Sequence, residues 1–361
     1  MPREQALNAI CPYYTMFPLE YPLAQLENLP KGSIVYDPFC GRGTTTFAAR
    51  LLGHSSIGTD INPVAIAVAK AKMAHVTPKQ IVDLASKILN SETLDPVPSG
   101  RFWELAYAPG TLEHILKLRA GLRLRHGSVA DALRGIVLGC LHGPQPKTKD
   151  SNLSNQMQRT FAPKPDYAVR YWETRGMLPH EVDVIRIISE RADRYYTENI
   201  PKVFSRVIHG DARNPPITGV SFDATVTSPP YFGMDTYVPD QWLRNWFLGG
   251  AEKPTYEKRD QLSRGTKDDF ILELGKVWYA IAVRSNPGAK LSIRFGAIAS
   301  RDSDPETLIR RSLQVSKAPW VIRSIKHAGG AKEGRRQAEQ MGAVARKSSA
   351  IEELDFVCRL Q

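Results

Sequence analysis

Residues 34–46 read Ile34-Val35-Tyr36-Asp37-Pro38-Phe39-Cys40-Gly41-Arg42-Gly43-Thr44-Thr45-Thr46. An apolar strand runs into a glycine turn, and the spacing predicts a helix from Thr44 to Leu52, stopped by Gly53. Glycines at 41 and 43 let the backbone approach a ligand closely, and the helix behind them points its unpaired N–H groups toward it. A second strand, Ser56-Ile57-Gly58-Thr59-Asp60, ends in a carboxylate nineteen residues after Gly41, where a strand-two acid grips the two hydroxyls of a ribose. A dinucleotide site would want a third glycine near position 46, which is Thr46, and has no need of Asp37-Pro38-Phe39 before the turn.

A second strand-to-loop cassette lies downstream. The run Phe222-Asp223-Ala224-Thr225-Val226 leads into Thr227-Ser228-Pro229-Pro230-Tyr231. Two prolines in a row remove two backbone donors and fix two φ angles, so the carbonyls around Ser228 and Pro229 are held rigid and left open as acceptors. An exocyclic amine of a nucleobase needs such acceptors. Its lone pair is delocalised into the ring, and fixing both N–H bonds lets the pair localise and attack an electrophile. Tyr231 offers a flat face for a base taken out of its stack. Taken alone, the tetrapeptide reads better as an ordinary surface turn or a polyproline ligand than as a catalytic loop. The cofactor-type cassette upstream supplies the electrophile and favours chemistry.

On these residues the chain resembles the S-adenosylmethionine-dependent DNA amino-methyltransferases. Residues 37–45 are similar to their motif I, and Ser228-Pro229-Pro230-Tyr231 to their motif IV in its cytosine-N4 form. Adenine enzymes more often open that motif with Asp or Asn. Tyr13-Tyr14-Thr15-Met16-Phe17-Pro18 resembles motif X, and His209-Gly210-Asp211-Ala212-Arg213-Asn214 the acidic turn after strand three. The resemblance implies a Rossmann-like, doubly wound seven-stranded α/β sheet of the class I methyltransferase type. It implies S-adenosylmethionine seated by Tyr14, Thr15, Asp37, Phe39, Gly41, Gly43 and Thr44, with Asp60 on its ribose and Asp211 and Ala212 at its adenine. Ser228, Pro229, Pro230 and Tyr231 would be the catalytic loop. The reaction implied is methyl transfer to the 4-amino group of cytosine in double-stranded DNA with the base flipped out. The 6-amino group of adenine, an RNA substrate and an inert DNA-binding homologue are the alternatives. A cognate restriction endonuclease is a partner the resemblance admits and no residue specifies.

Composition agrees with a polyanionic partner. The 361 residues carry 48 Lys and Arg against 37 Asp and Glu, a formal net charge of +11. Cys11, Cys40, Cys140 and Cys358 are widely spaced, which argues against a structural zinc site or a disulfide scaffold, and no His or carboxylate cluster suggests a metal. Pro-Cys, which a cytosine-C5 enzyme would use as nucleophile, does not occur. No signal peptide or membrane-length apolar run is readable, so a cytoplasmic protein is expected.

Strand–helix alternation lapses between about 91 and 200. The chain is therefore read as residues 1–90 and 201–361 forming the methyltransferase domain around a helical insertion, 91–200, which takes target recognition. Within a polar loop at 143–170, Gln156 and Arg159 are candidate DNA readers beside Phe161, Tyr167, Tyr171 and Trp172. A helical lid with core aromatics is the competing reading. A basic stretch between the last two strands, with Lys332, Arg335 and Arg336, is the second DNA candidate, against a solvated hairpin loop. Asn62 with Pro63, and Thr77 with Gln80, mark helix starts, and Trp242 and Trp246 read as core anchors.

Overall fold

A computed structural model of the chain describes residues 3–13, 17–91, 93–145, 148–197, 200–233, 239–255, 262, 265–296, 303–328 and 353–361. Contacts divide the chain into two units. One comprises Thr15–Ile61, Pro201–Thr236 and Lys258–Gln361 and holds the sheet; the other comprises Met1–Tyr14, Asn62–Ile200 and Tyr237–Glu257 and is helical.

The sheet unit contains β1 (Ile34–Asp37), β2 (Ser55–Asp60), β3 (Ser205–His209), β4 (Phe222–Thr227), β5 (Ser285–Gly296), β6 (Trp320–His327) and β7 (Glu353–Leu360). Their order is β3-β2-β1-β4-β5-β7-β6. β1 pairs in parallel with both β2 and β4, β2 with β3, and β4 with β5, while β7 runs antiparallel between β5 and β6. This is the Rossmann-like seven-stranded sheet expected from the sequence, with a reversed last strand. After β1 the chain builds outward to β2 and β3, then returns to lay β4 on the other side of β1. The strand order therefore reverses between β1 and β4, and the crevice outside their carboxyl ends is where such sheets bind ligands.

The central strands are buried along nearly their whole length because both faces are covered. Val35, Tyr36, Ile57, Ala224 and Val226 are buried. Against the sheet pack the helices Lys267–Ala282 and Pro305–Val315, whose Phe270, Leu274, Trp278, Leu308 and Ile309 share one core with Leu291, Phe295 and Phe356. The Trp278 indole N–H donates to Ser312 Oγ at 2.8 Å, which lets the ring be buried without an unpaired donor. At the amino end of the sheet Asp223 Oδ2 accepts from Ile34 N at 2.8 Å, tying the start of β4 to the start of β1.

In the helical unit the helices Pro63–Met73 and Pro78–Leu89 start where the sequence signals predict. Asn62 accepts from Val64 N, and Thr77 and Gln80 form a reciprocal capping box. By contacts these two helices group with those between 91 and 200. The helices Pro109–Arg123, Ser128–Cys140 and Val184–Tyr195 occupy the stretches expected to be helical. The helix Pro165–Glu173 begins inside the segment read as loop, 143–170, and runs three residues past it. Pro165 looks like a chain breaker, but it sits at the first helical turn, where a missing N–H costs nothing.

Trp103, Trp172, Trp242 and Trp246 are buried in this unit, with Trp103 and Trp246 centroids 4.4 Å apart. Trp242 and Trp246 are thus the core anchors expected. Trp172 is buried as well, its indole N–H donating to Gln156 O at 2.8 Å, which removes it as a stacking ring for nucleic acid. Arg244, also buried, gives its guanidinium to the carbonyls of Leu138, Arg159 and Thr160 and to Gln241 Oε1, so a charge held off water is satisfied by a ring of acceptors.

Helix Ser128–Cys140 approaches its neighbours at two glycines. A Cβ on Gly139 would lie 2.0 Å from Ile10 O, and one on Gly135 would lie 2.3 Å from Ala71 Cβ. Gly139→Ala should therefore destabilise the protein by overpacking, by roughly 1–3 kcal/mol. Chemical denaturation measures this, and an unchanged midpoint would show that the backbone at Ile10 yields without cost.

Candidate active site

The ends of β1, β2 and β4 bring together the residues singled out in the two cassettes. Gly41 (φ +49°) and Gly43 (φ +75°) both lie in the left-handed region, which a side chain rarely adopts, and Gly43 is the N-cap of the helix Thr44–Leu51. Asp60 Oδ2 accepts from Gly41 N at 2.8 Å, and Cys40 N donates to Thr59 O at 2.9 Å, so β2 holds the turn from one side. The approach depends on Gly58, where a Cβ would meet Cys40 Cβ at 2.9 Å. Cys40 is buried, reduced and packed, as a small apolar filler would be.

Asp37 is only 1% exposed. Its Oδ1 accepts from Thr227 Oγ1 at 2.7 Å and from Phe39 N at 3.1 Å. The carboxylate thus braces β1 against β4, directly before Ser228, and Thr45 Oγ1 adds a second tie to Val226 O at 3.0 Å. Thr44 is buried at the first turn of its helix, and Phe39 is half-buried against the sheet core. Burial raises the Asp37 pKa to about 7, against the Thr227 and Phe39 donors that favour the ionised form, with a further small push from Asp60.

Asp211 follows β3 and is held by Arg213, whose Nη2 lies 2.6 Å from Oδ2 and whose Nη1 reaches Glu273. Burial pushes the Asp211 carboxyl up, but the Arg213 side chain and backbone N–H more than offset it and leave it below its ordinary value. Ala212 is buried in the core.

Ser228 and Pro230 are half-buried after β4 and Pro229 is buried. Tyr231 is half-buried, its ring edge-on to Phe295 at 5.4 Å and its hydroxyl donating to Glu353 Oε1 at 2.6 Å. Burial first, and the Glu353 carboxylate next, hold the Tyr231 hydroxyl well above its usual pKa, so it stays a donor. Beyond it Arg294 forms a fork to Asp355, both N–O distances 2.7 Å, and lies 3.9 Å over the ring of Tyr21. Thr227, Tyr21, Arg294 and Glu353 are not recognisable as site residues in the sequence. Thr227 touches the Ser-Pro-Pro-Tyr cassette and could have been included on adjacency, whereas Glu353 lies 122 residues from Tyr231 and only the sheet joins them.

Of the DNA candidates, Gln156 is half-buried with Oε1 accepting from Gln145 N at 2.7 Å, while Arg159 is exposed. Buried His142, Asn152, Ser154 and Asn155 tie the rest of that loop into the helical unit. Tyr14, Thr15, Lys332, Arg335 and Arg336 lie outside the described residues. Among the described residues no group of three His, Cys, Asp or Glu could hold a metal ion, and no helix is long and apolar enough to cross a membrane.

Residues 12–71 match the DNA methylase family model. The matched segment contains Asp37, Gly41, Gly43 and Asp60 and ends before the Ser228 loop. It supports an amino-group DNA methylase of the N4/N6 family without separating the two amines. Solved structures similar to the chain include TrmN from Thermus thermophilus, at 8% identity over 99% of this chain and 53% of that one, with a TM-score of 0.39. An rRNA methyltransferase, aviRa from Streptomyces viridochromogenes, is 13% identical over 99% of this chain and 93% of that one, with a TM-score of 0.38. Geranyl diphosphate methyltransferase, in complex with GPP and sinefungin, is 9% identical over 94% and 77%, with a TM-score of 0.37. The chain spans about half the length of the first of these. Likenesses this distant carry no argument about activity, and the fold stands on its strand order.

Asp37 generates a pH prediction. Its carboxyl keeps a proton to about pH 7 in the folded chain, but only to about 3.9 when unfolded. Between these values the folded state holds more protons, so the contribution of this group to stability is full below the unfolded value and is lost as pH rises toward 7. Asp37→Asn keeps the shape and stays neutral. Melting temperatures taken from pH 5 to pH 8 should fall in the wild type relative to Asp37→Asn, and parallel curves would mean that Asp37 ionises without cost.

Proposed function

We propose that the chain is an S-adenosylmethionine-dependent DNA methyltransferase acting on the 4-amino group of cytosine. The observation that carries this reading is the hydrogen bond from Thr227 to Asp37, which fastens the proline-stiffened loop Ser228–Tyr231 beside the glycine turn at the switch point of the sheet. The residues present suit a nucleoside bearing a cationic group. A carboxylate at Asp60 stands beside a left-handed glycine turn, and a Cβ built on Gly41 would meet nothing within 4 Å. Asp60 would take the ribose hydroxyls, Gly41 and Gly43 would admit the methionine portion, Tyr14 and Thr15 would close over it, and Asp211 with Ala212 would border the adenine.

The bound sulfonium supplies an already activated methyl group. The chain's own task is then alignment, for which positioning effects of roughly 7–11 kcal/mol are available. The carbonyl region of Ser228 and Pro229 would accept the N–H bonds of the amine and hold its nitrogen in line, Pro230 would keep that backbone rigid, and Tyr231 would carry the flipped base. No covalent intermediate is needed. Ser at position 228 favours cytosine over adenine. Exposed Arg159 and the basic residues Lys332, Arg335 and Arg336 are proposed to meet the phosphates, and Gln156 a base edge.

Two outcomes test the reading. Asp60→Ala should weaken S-adenosylmethionine binding by the value of a charged hydrogen bond, ~1.5–3 kcal/mol, with the fold retained; unchanged calorimetric affinity would remove Asp60 from the cofactor site. Mass spectrometry of nucleosides after incubation with DNA and cofactor should find 4-amino-methylated cytosine, and Tyr231→Ala should lower its yield while sparing cofactor affinity. Methyl found solely on adenine would overturn the cytosine assignment and keep the class.

A further inference from the structure

Tyr231 is anchored at its hydroxyl by a residue from the last strand of the sheet. Its O–H donates to Glu353 Oε1 at 2.6 Å while Phe295 meets its ring edge-on at 80°. These two contacts act on different atoms of one side chain. Together they fix both where the ring is and which way its plane faces, leaving little freedom about the bond to the ring.

The acceptor is itself firmly placed. Glu353 opens β7 and stands in register with Gly296 of β5, which has no side chain to compete for the space. Two residues along, Asp355 stands opposite Arg294 and is gripped by it at both nitrogens, so the strand carrying Glu353 is locked to β5 by a charge-assisted fork. Arg294 is 8% exposed, and its guanidinium is stacked 3.9 Å over the ring of Tyr21. A carboxylate on a paired strand is a more exact support than one on a loop.

We propose that Glu353 is a positioning residue for the methyl acceptor: it sets the ring of Tyr231 so that a base lying on it presents its amine to Ser228 and Pro229. The role rests on the proposed methyltransferase function. Glu353 acts through Tyr231 and touches neither base nor cofactor. Its contribution to turnover therefore exists only while the Tyr231 hydroxyl is there to be held.

A double-mutant cycle tests this with methyl transfer to DNA and cofactor affinity as separate readouts. Tyr231→Phe and Glu353→Ala should each lower kcat, on the order of ten-fold for a misplaced acceptor, with cofactor affinity unchanged. The double variant should be no slower than Tyr231→Phe alone, and Glu353→Gln, which keeps an acceptor oxygen, should restore most of the rate. Should Glu353→Ala fold poorly, Glu353→Leu, which fills the space without an acceptor, takes its place in the cycle with and without Tyr231→Phe, and a rate loss that persists without the hydroxyl overturns the role. Additive losses, or a loss of cofactor affinity, would make Glu353 a structural residue and leave the methyltransferase reading standing. A wild-type protein that methylates no base overturns that reading and this role with it.

Discussion

At the carboxyl edge of the sheet the ends of β1 and β4 are tied by a buried hydrogen bond from Thr227 Oγ1 to Asp37 Oδ1, with Thr45 Oγ1 to Val226 O beside it. β1 and β4 are neighbours in the sheet although Asp37 and Thr227 are 190 positions apart in the chain, and the strands are in register at only two pairs, Val35 with Ala224 and Tyr36 with Thr225. Past those pairs β1 and β4 run on to Asp37 and Thr227 with no further ladder pair between them. The side-chain bond takes over where the ladder stops. Burying Asp37 costs solvation, which is why its proton is held to about pH 7. That cost is acceptable because the bond fixes the relative position of the glycine turn and the Ser-Pro-Pro loop, a position that neither loop could hold for itself.

The same device recurs around the edge. Asp60 bonds Gly41 N, Arg213 closes on Asp211, and Glu353 takes the Tyr231 hydroxyl. Asp60 at the end of β2 restrains the turn after β1, Arg213 closes the turn after β3 on itself, and Glu353 at the start of β7 reaches past β5 to the loop after β4. Asp60 and Asp211 are the carboxylates expected to meet ligand, and the structure gives each a protein partner as well. The helical unit uses similar ties for a different purpose: the loop after Cys140, polar in sequence, turns its asparagines and serines inward to satisfy carbonyls, and Arg244 draws several of them together. Its polarity is largely structural.

The fold is legible in the sequence because short strands rich in apolar and small residues end in recognisable turns, Gly-x-Gly after β1 and Pro-Pro after β4. The runs at 34–37, 56–60 and 222–226 fall within a residue of β1, β2 and β4. Helix starts are legible where a side chain caps them, as at Asn62 and Thr77. Pro165 misleads because the same residue that breaks a helix interior is favoured at its first turn. The place of β7 between β5 and β6 is not legible, since strand order depends on pairings that local periodicity does not encode. The site follows the same divide. Residues within a cassette announce themselves, while Glu353, Arg294 and Tyr21 do not, because they matter only through contacts between segments far apart in the chain. Amide and aromatic content near 156–172 suggests base reading, and Trp172 shows why composition alone could not decide it: an indole that stacks on DNA and one buried in a core have the same letter.

For a transfer in which the donor brings its own activation, a protein has little to contribute except geometry. The described edge holds its loops by hydrogen bonds that join one strand end to another. Two prolines stiffen the loop after β4, a threonine–aspartate bond fixes its root, and a glutamate–tyrosine bond fixes its far end. The loop is held at both ends by residues from different strands, Asp37 of β1 and Glu353 of β7. Rigidity of this kind serves an amine poorly if the amine must be deprotonated before attack, and serves it well if the nitrogen needs only to be turned until its lone pair faces a methyl group.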